Sequence, residues 1–212
     1  MDLINPEVQR YAEKYSSEAD QLLKKIDAYT LQQIPDYQML SGHLQGKVLE
    51  MISCMSSPRR ILEIGTFTGY SVLCLAKGLT EDGLLHTIEA NETVALKAND
   101  FFRQSIYRDR IILHTGNALK IMPGLNEVWD LVFIDADKPE YIEYFNLFFS
   151  KLRKNGFILA DNIFFHGQAL DKEAKGRNAK GIKAFNEFIK ERNDIEKVVL
   201  TVRDGLYLIR KL

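Results

Sequence analysis

The chain has 212 residues, 46% of them hydrophobic and 27% charged, with a formal net charge of -1. That size and balance fit one domain with a substantial core and give no overall electrostatic case for nucleic acid or an anionic membrane as partner. No apolar run approaches the roughly 20 residues of a membrane span and no secretory signal pattern opens the chain, so the expected compartment is the cytoplasm.

Residues 1–57 read as helices without strands. Residues 6–15 form a polar, amphipathic start, and Ser17 is the expected N-cap of a helix running to about Ile34, which Pro35 ends. After the step Met39-Leu40-Ser41-Gly42, a further helix is expected over residues 43–55. This block is expected to be a helical extension or lid on the remainder of the chain. Packing or dimerisation on one hand, and covering of a substrate on the other, both fit it.

The chain is organised around residues 59–79, RRILEIGTFTGYSVLCLAKGL. A short apolar run through Ile61, Leu62 and Ile64 reads as a strand, Gly65 and Gly69 bracket a turn, and Val72, Leu73, Leu75, Ala76 and Leu79 recur at helical spacing. That is the first half of a βαβ nucleotide-binding unit. Gly65 can take a backbone conformation closed to other residues, and Gly69 lets the helix start approach a ligand. The turn lacks the G-x-G-x-x-G spacing of dinucleotide enzymes, and Glu63 beside it would repel a pyrophosphate. A cofactor with an ammonium group and no phosphate fits better, and S-adenosylmethionine is such a molecule. A glycine corner without any ligand stays open for this segment alone.

Residues 83–89 form a second strand ending in Glu89, 26 positions after Glu63 and close to the usual interval of about 20 for a carboxylate on ribose hydroxyls. A helix over residues 91–104 and a strand over 110–114 come next, then the small residues Gly116-Asn117-Ala118, which leave room for an adenine ring or make a simple turn. Residues 129–135, WDLVFID, are the apolar strand expected in the middle of a parallel sheet. An aromatic helix over 140–152 is stopped by Asn155-Gly156, and a strand over 157–160 ends in Asp161-Asn162. Residues 163–180 read as a loop carrying Lys172, Lys175, Arg177 and Lys180, before a helix over 182–192. A strand over 196–202, an Asp204-Gly205 turn and a strand over 206–210 close the chain as a hairpin, placing the last strand antiparallel at or near the sheet edge. The whole is an α/β fold: a Rossmann-like, doubly wound, seven-stranded sheet, mostly parallel, with the helical extension over 1–57 and the core over 58–212.

In such a sheet ligands gather at the carboxyl ends of the strands, which here carry Glu63, Glu89, Gly116-Asn117, Asp135 and Asp161-Asn162. Asp135, Asp161 and Asn162 are hard oxygen donors from neighbouring strands, suited to Mg²⁺, Mn²⁺ or Ca²⁺ rather than zinc. Lys138, three residues after Asp135, is close enough to face the same space. His43, His86, His114 and His166 are too scattered for a zinc cluster, and Cys54 and Cys74 read as separate core thiols.

Together the motifs LEIGTFTGYS, HTIE, VFIDADK and LADN resemble the cation-dependent class I O-methyltransferases, the caffeoyl-CoA and catechol O-methyltransferase-like enzymes, over residues 35–212. By that resemblance Asp135, Asp161 and Asn162 hold the metal and Lys138 is the general base, its pKa lowered beside the cation. The matching cofactor positions are Ser41, Glu63, Gly65, Ser71, Glu89, Ala118 and Asp135, with Glu63 on the methionine ammonium and Glu89 on the ribose. The resemblance also implies a homodimer built on the N-terminal helices. Where the family often has a tryptophan after the Asp-Asn pair this chain has Phe164-Phe165, so no particular acceptor carries over beyond a small catechol-like hydroxyl compound. A related bacterial branch methylates hydroxyuridine in tRNA, which makes RNA the alternative acceptor, met through the basic loop. A solvated surface is the simpler reading of that loop. A non-catalytic cofactor-binding scaffold is the reading from another class.

Overall fold

Leu131, Val132, Phe133 and Ile134 are almost wholly removed from water, as are Ile61, Leu62 and Ile64. Continuous apolar runs of this kind fit strands covered on both faces. In the computed structural model, which describes residues 4–171 and 173–212, they are the central strands of a seven-stranded sheet. Helices α1 (Pro6–Lys14), α2 (Gln21–Gln33) and α3 (Gly42–Ser56) come first. After them come β1 (Arg60–Ile64), α4 (Tyr70–Ala76), β2 (Leu84–Glu89), α5 (Glu92–Phe102), β3 (Ile111–Thr115) and α6 (Ala118–Ile121). The chain continues through β4 (Trp129–Ile134), α7 (Tyr141–Phe149), β5 (Leu152–Asp161), α8 (Arg177–Lys190), β6 (Ile195–Leu200) and β7 (Leu206–Lys211).

The strand order is β3-β2-β1-β4-β5-β7-β6. The first five are parallel, and β7 runs antiparallel to both β5 and β6. The last strand therefore sits one place in, and β6 forms the edge. Chain order reverses direction between β1 and β4, so their carboxyl ends flank the crevice where such sheets bind ligands. One face is covered by α2 to α5 through residues such as Leu23, Leu49, Leu73 and Phe101. The other is covered by α6 to α8 through Tyr141, Phe145, Phe148, Ile182 and Phe185.

The N-terminal helices are tied to the glycine turn. Thr30 on α2 and Thr68 share a buried hydroxyl contact of 2.9 Å. At Gly46 on α3 a Cβ would lie 2.6 Å from the Tyr70 ring, so α3 packs directly on α4. Among the described residues no helix is long and apolar enough to cross a membrane.

Several local expectations are corrected. Asp20, not Ser17, caps α2, because its carboxylate accepts from Leu23 N at 2.9 Å and complements the helix dipole. Asn155-Gly156 does not precede a new strand. β5 runs through it, Asn155 takes φ 59, and the register with β4 shifts between Trp129 and Leu131. Ala118, read with Gly116 and Asn117 as room for an adenine ring or a simple turn, starts the short α6. Helix α8 starts at Arg177 rather than 182, with Ala179 buried and Ile182 packed in the core. Cys74 is buried, but Cys54 is exposed rather than a core thiol.

Candidate active site

The chain leaves β1 through Gly65 at φ +102, and a Cβ there would lie 1.9 Å from the carbonyl oxygen of Asp135 at the end of β4. Asp135 N in turn donates to Ile64 O at 2.8 Å. The two central strand ends thus touch through backbone alone, which requires glycine. Gly69, at φ +89, then starts α4, whose first turn carries Ser71.

Glu89 at the end of β2 is held by two backbone amides: Phe67 N donates to Oε2 at 2.7 Å and Asn91 N to Oε1 at 2.9 Å. The carboxylate is thereby oriented before any ligand arrives. Glu63 behaves differently. It is wholly buried, Thr87 Oγ1 donates to its Oε2 at 2.6 Å, and its Oε1 has no hydrogen-bond partner. Burial pushes its pKa up to about 8, with the Ser71 and Thr87 hydroxyls opposing and the charges of Asp135 and Glu89 adding.

Past β4, a single 3-10 turn over Lys138–Glu140 brings Lys138 back toward the strand end. Its Nζ donates to Asp135 Oδ1 at 2.7 Å and to the Tyr141 hydroxyl at 2.8 Å. That hydroxyl is 3.3 Å from Ile134 O and 3.2 Å from Asp161 O, so Tyr141 braces the lysine against β4 and β5. Gly181 of α8 backs the same turn, where a Cβ would lie 2.6 Å from Pro139 Cα. Burial favours the neutral amine, but the charge of Asp135, with that of Asp161 adding, outweighs it and raises the pKa of Lys138. Paired with Asp135, Lys138 is favoured in its ammonium form, and the lowering expected beside a cation refers to a different balance of charges. The sequence shows the spacing of the two residues but not that they bond to each other.

Asp161 is buried beside this pair, and burial followed by the charge of Asp135 raises its pKa, with Lys138 opposing. Asn162 takes φ 57, and its Nδ2 donates to Asp204 Oδ2 at 3.3 Å, so its amide oxygen is the side-chain atom that could ligate a cation. Asp204 also accepts from His166 N at 2.7 Å. Two carboxylates and an amide oxygen fit a hard divalent cation, which would relieve the crowding of negative charge at Asp135 and Asp161. Among the described residues no group of three His, Cys, Asp or Glu side chains could by itself hold a metal.

One cavity of about 920 Å³ is lined by Ser41, Gly65, Ser71, Glu89, Ala118, Asp135, Lys138, Asp161 and Asn162. The site residues expected from the sequence are thus brought together, apart from Glu63. It does not line the cavity, but it lies next to the lining residue Ile64 in β1 and leaves Oε1 without a partner, and its expected contact with a methionine ammonium belongs to the proposal. Phe165 and His166, at φ 47 and 55, also face the cavity, as do Ile4, Pro6 and Gln9 of the N-terminal segment. The expected basic loop gives up Arg177 and Lys180 to the first turn of α8. Arg177 is 3.7 Å from Asp137, and Lys172 lies outside the described residues. Gln38, Arg203 and Asp204 are among the cavity residues that had no site role in the sequence reading. For Asp204 a signal existed, a carboxylate in a turn, but it was absorbed into the reading of a hairpin.

The sequence matches the family model described as O-methyltransferase over residues 13–212. The chain belongs to the O-methyltransferase family. Among the relatives of this O-methyltransferase, a catechol O-methyltransferase of Niastella koreensis is 32% identical over 160 residues, covering 74% of this chain and 72% of the relative. An SAH-bound methyltransferase of Podospora anserina superposes with a TM-score of 0.90 at 28% identity, over 98% of this chain and 94% of that one. The O-methyltransferase TomG of Streptomyces achromogenes, involved in tomaymycin synthesis and solved in complex with SAM, gives 0.88 at 30% identity, over 97% and 96%.

Proposed function

We propose that this O-methyltransferase moves the methyl group of S-adenosylmethionine to a hydroxyl of a small catechol-like acceptor, with a divalent cation held by Asp135, Asp161 and Asn162. The observation that carries the reading is the shared cavity on which a ribose-type carboxylate, Glu89, and the Asp135–Lys138–Asp161–Asn162 cluster all open. Relatives solved with SAM or SAH support the donor, and a relative named as a catechol enzyme supports the acceptor class. Mg²⁺ suits the donor atoms best, and Mn²⁺ and Ca²⁺ share their preference for oxygen.

In the transfer the acceptor oxygen forms a bond to the methyl carbon while the carbon–sulfur bond breaks and its electron pair stays on sulfur. A bound divalent cation would favour the ionised form of a hydroxyl whose pKa is otherwise near ~10. Glu89 would orient the ribose, and Ser71 and Ala118 would bound the donor. Lys138 can accept the acceptor's proton only as a free amine, so Asp135 must be drawn away from it first. Its second contact, with Tyr141, keeps the amine in place through that change.

Transfer of labelled methyl to a panel of catechols, with and without EDTA, tests the proposal. Removal of the cation should abolish transfer, and Lys138→Ala should lower turnover by about 100-fold with donor affinity unchanged. Full activity after EDTA treatment would refute the cation role, and full turnover of the variant would refute the base.

A further inference from the structure

Arg203 lies in the hairpin between β6 and β7 at φ 48, in the left-handed region that a non-glycine residue seldom occupies. Its guanidinium reaches back more than 150 residues in sequence to the segment joining α2 and α3. Nη1 donates to the carbonyls of Leu40 and Ser41 and lies 3.5 Å from Gln45 Oε1, and Nη2 donates to Gln38 O at 3.2 Å. Among the described residues no carboxylate lies within ion-pair distance of it, so its donors are committed to this segment.

Gln38, Met39, Leu40 and Ser41 form one wall of the cavity, with Arg203 beside them. No side chain of the short turn over Tyr37–Met39 is buried. Leu40 anchors the wall in the core and Ser41 is buried beside it, whereas Tyr37 and Met39 are half exposed, so the turn before Leu40 has little apolar burial of its own. The planar guanidinium fork matches a set of converging carbonyls in a way a lysine cannot. The next residue, Asp204, organises the opposite wall by accepting from His166 N and Asn162 Nδ2. One two-residue turn thus grips both sides of the cavity.

We propose that Arg203 is a positioning residue for methyl transfer, a latch that holds residues 38–45 over the cavity and sets the wall against which donor and acceptor align. This rests on the reading of the cavity as the methyl-transfer site. Arg203→Gly removes the guanidinium while accepting the positive φ without steric cost, so the fold should survive. Arg203→Lys keeps the charge and loses the fork.

Amide exchange in the ligand-free variants, calorimetric binding of S-adenosylhomocysteine, and kcat and KM for a catechol acceptor test it. In Arg203→Gly, exchange over residues 38–45 should rise about tenfold while that of the central strands is unchanged. The Kd for S-adenosylhomocysteine and the acceptor KM should each rise about fivefold to tenfold, with kcat less affected and Arg203→Lys intermediate. Unchanged local exchange and affinity would overturn the latch. So would a general rise in exchange with a lowered Tm, which would make Arg203 a residue of fold stability. If the wild-type protein bound no S-adenosylhomocysteine, the methyl-transfer reading would fail, whereas the exchange of residues 38–45 would still decide whether Arg203 holds them.

Discussion

Glu63→Gln isolates the effect of one buried carboxyl on stability. Glu63 lies wholly buried on β1, with one oxygen bonded to Thr87 and the other without a partner. Burial raises its pKa from 4.5 to about 8, whereas the unfolded chain releases the proton near the lower value. Between these pH values the folded state binds a proton that the unfolded state has lost, so stability falls as pH rises through the window and levels off above it. A shift of about 3.5 units, at about 1.4 kcal/mol per unit, corresponds to about 5 kcal/mol, of which about 3 to 4 is lost between about pH 5 and pH 8. Glutamine keeps the shape and does not ionise. The stability of Glu63→Gln relative to wild type should therefore rise by about 3 to 4 kcal/mol from about pH 5 to pH 8. Urea unfolding of both proteins at several pH values measures this difference, with other titrating groups largely cancelling. A difference constant to within about 1 kcal/mol would refute the reasoning, because Glu63 would then ionise alike in both states.

Two glycine substitutions test the backbone contacts that place the site. In Gly65→Ala the new Cβ falls 1.9 Å from Asp135 O at an unfavourable φ of +102, which no side-chain rotation relieves. A loss of at least about 3 kcal/mol, or roughly 6–12 °C in Tm, is expected, and a Tm within about 3 °C of wild type would show that the strand ends can separate freely. In Gly181→Ala the new Cβ meets Pro139 Cα at 2.6 Å and Lys138 O at 2.9 Å, pushing α8 off the turn that carries the lysine. Turnover should fall about tenfold or more with S-adenosylhomocysteine affinity within about twofold, and unaltered turnover would refute the role of that contact in placing Lys138.

Much of this organisation is legible in the sequence because it is written in local patterns. Apolar runs without polar alternation mark strands covered on both faces, and the glycines after Ile64 mark a turn that only they can make. Once the strands are parallel, their carboxyl ends must share one edge of the sheet, which brings Glu89, Asp135, Asp161 and Asn162 toward one cavity. Helix starts are less legible. Ser17 and Asp20 are both acceptable caps by residue type, and the bond from Leu23 N selects Asp20.

The sequence by itself determined the strand–helix alternation, the glycine corner and the row of oxygen donors at the strand ends, because each depends on neighbours a few residues apart. Only the tertiary structure decided that Glu63 lies beneath the cavity wall, since an apolar strand buried on both sides carries no mark of which side chain reaches a ligand. It also decided that Lys138 pairs with Asp135, which favours its ammonium form, and that Arg203 grips carbonyls on the segment before α3. Protonation depends on which charges share a desolvated space, and a bond between distant segments depends on packing, so neither is encoded in local spacing.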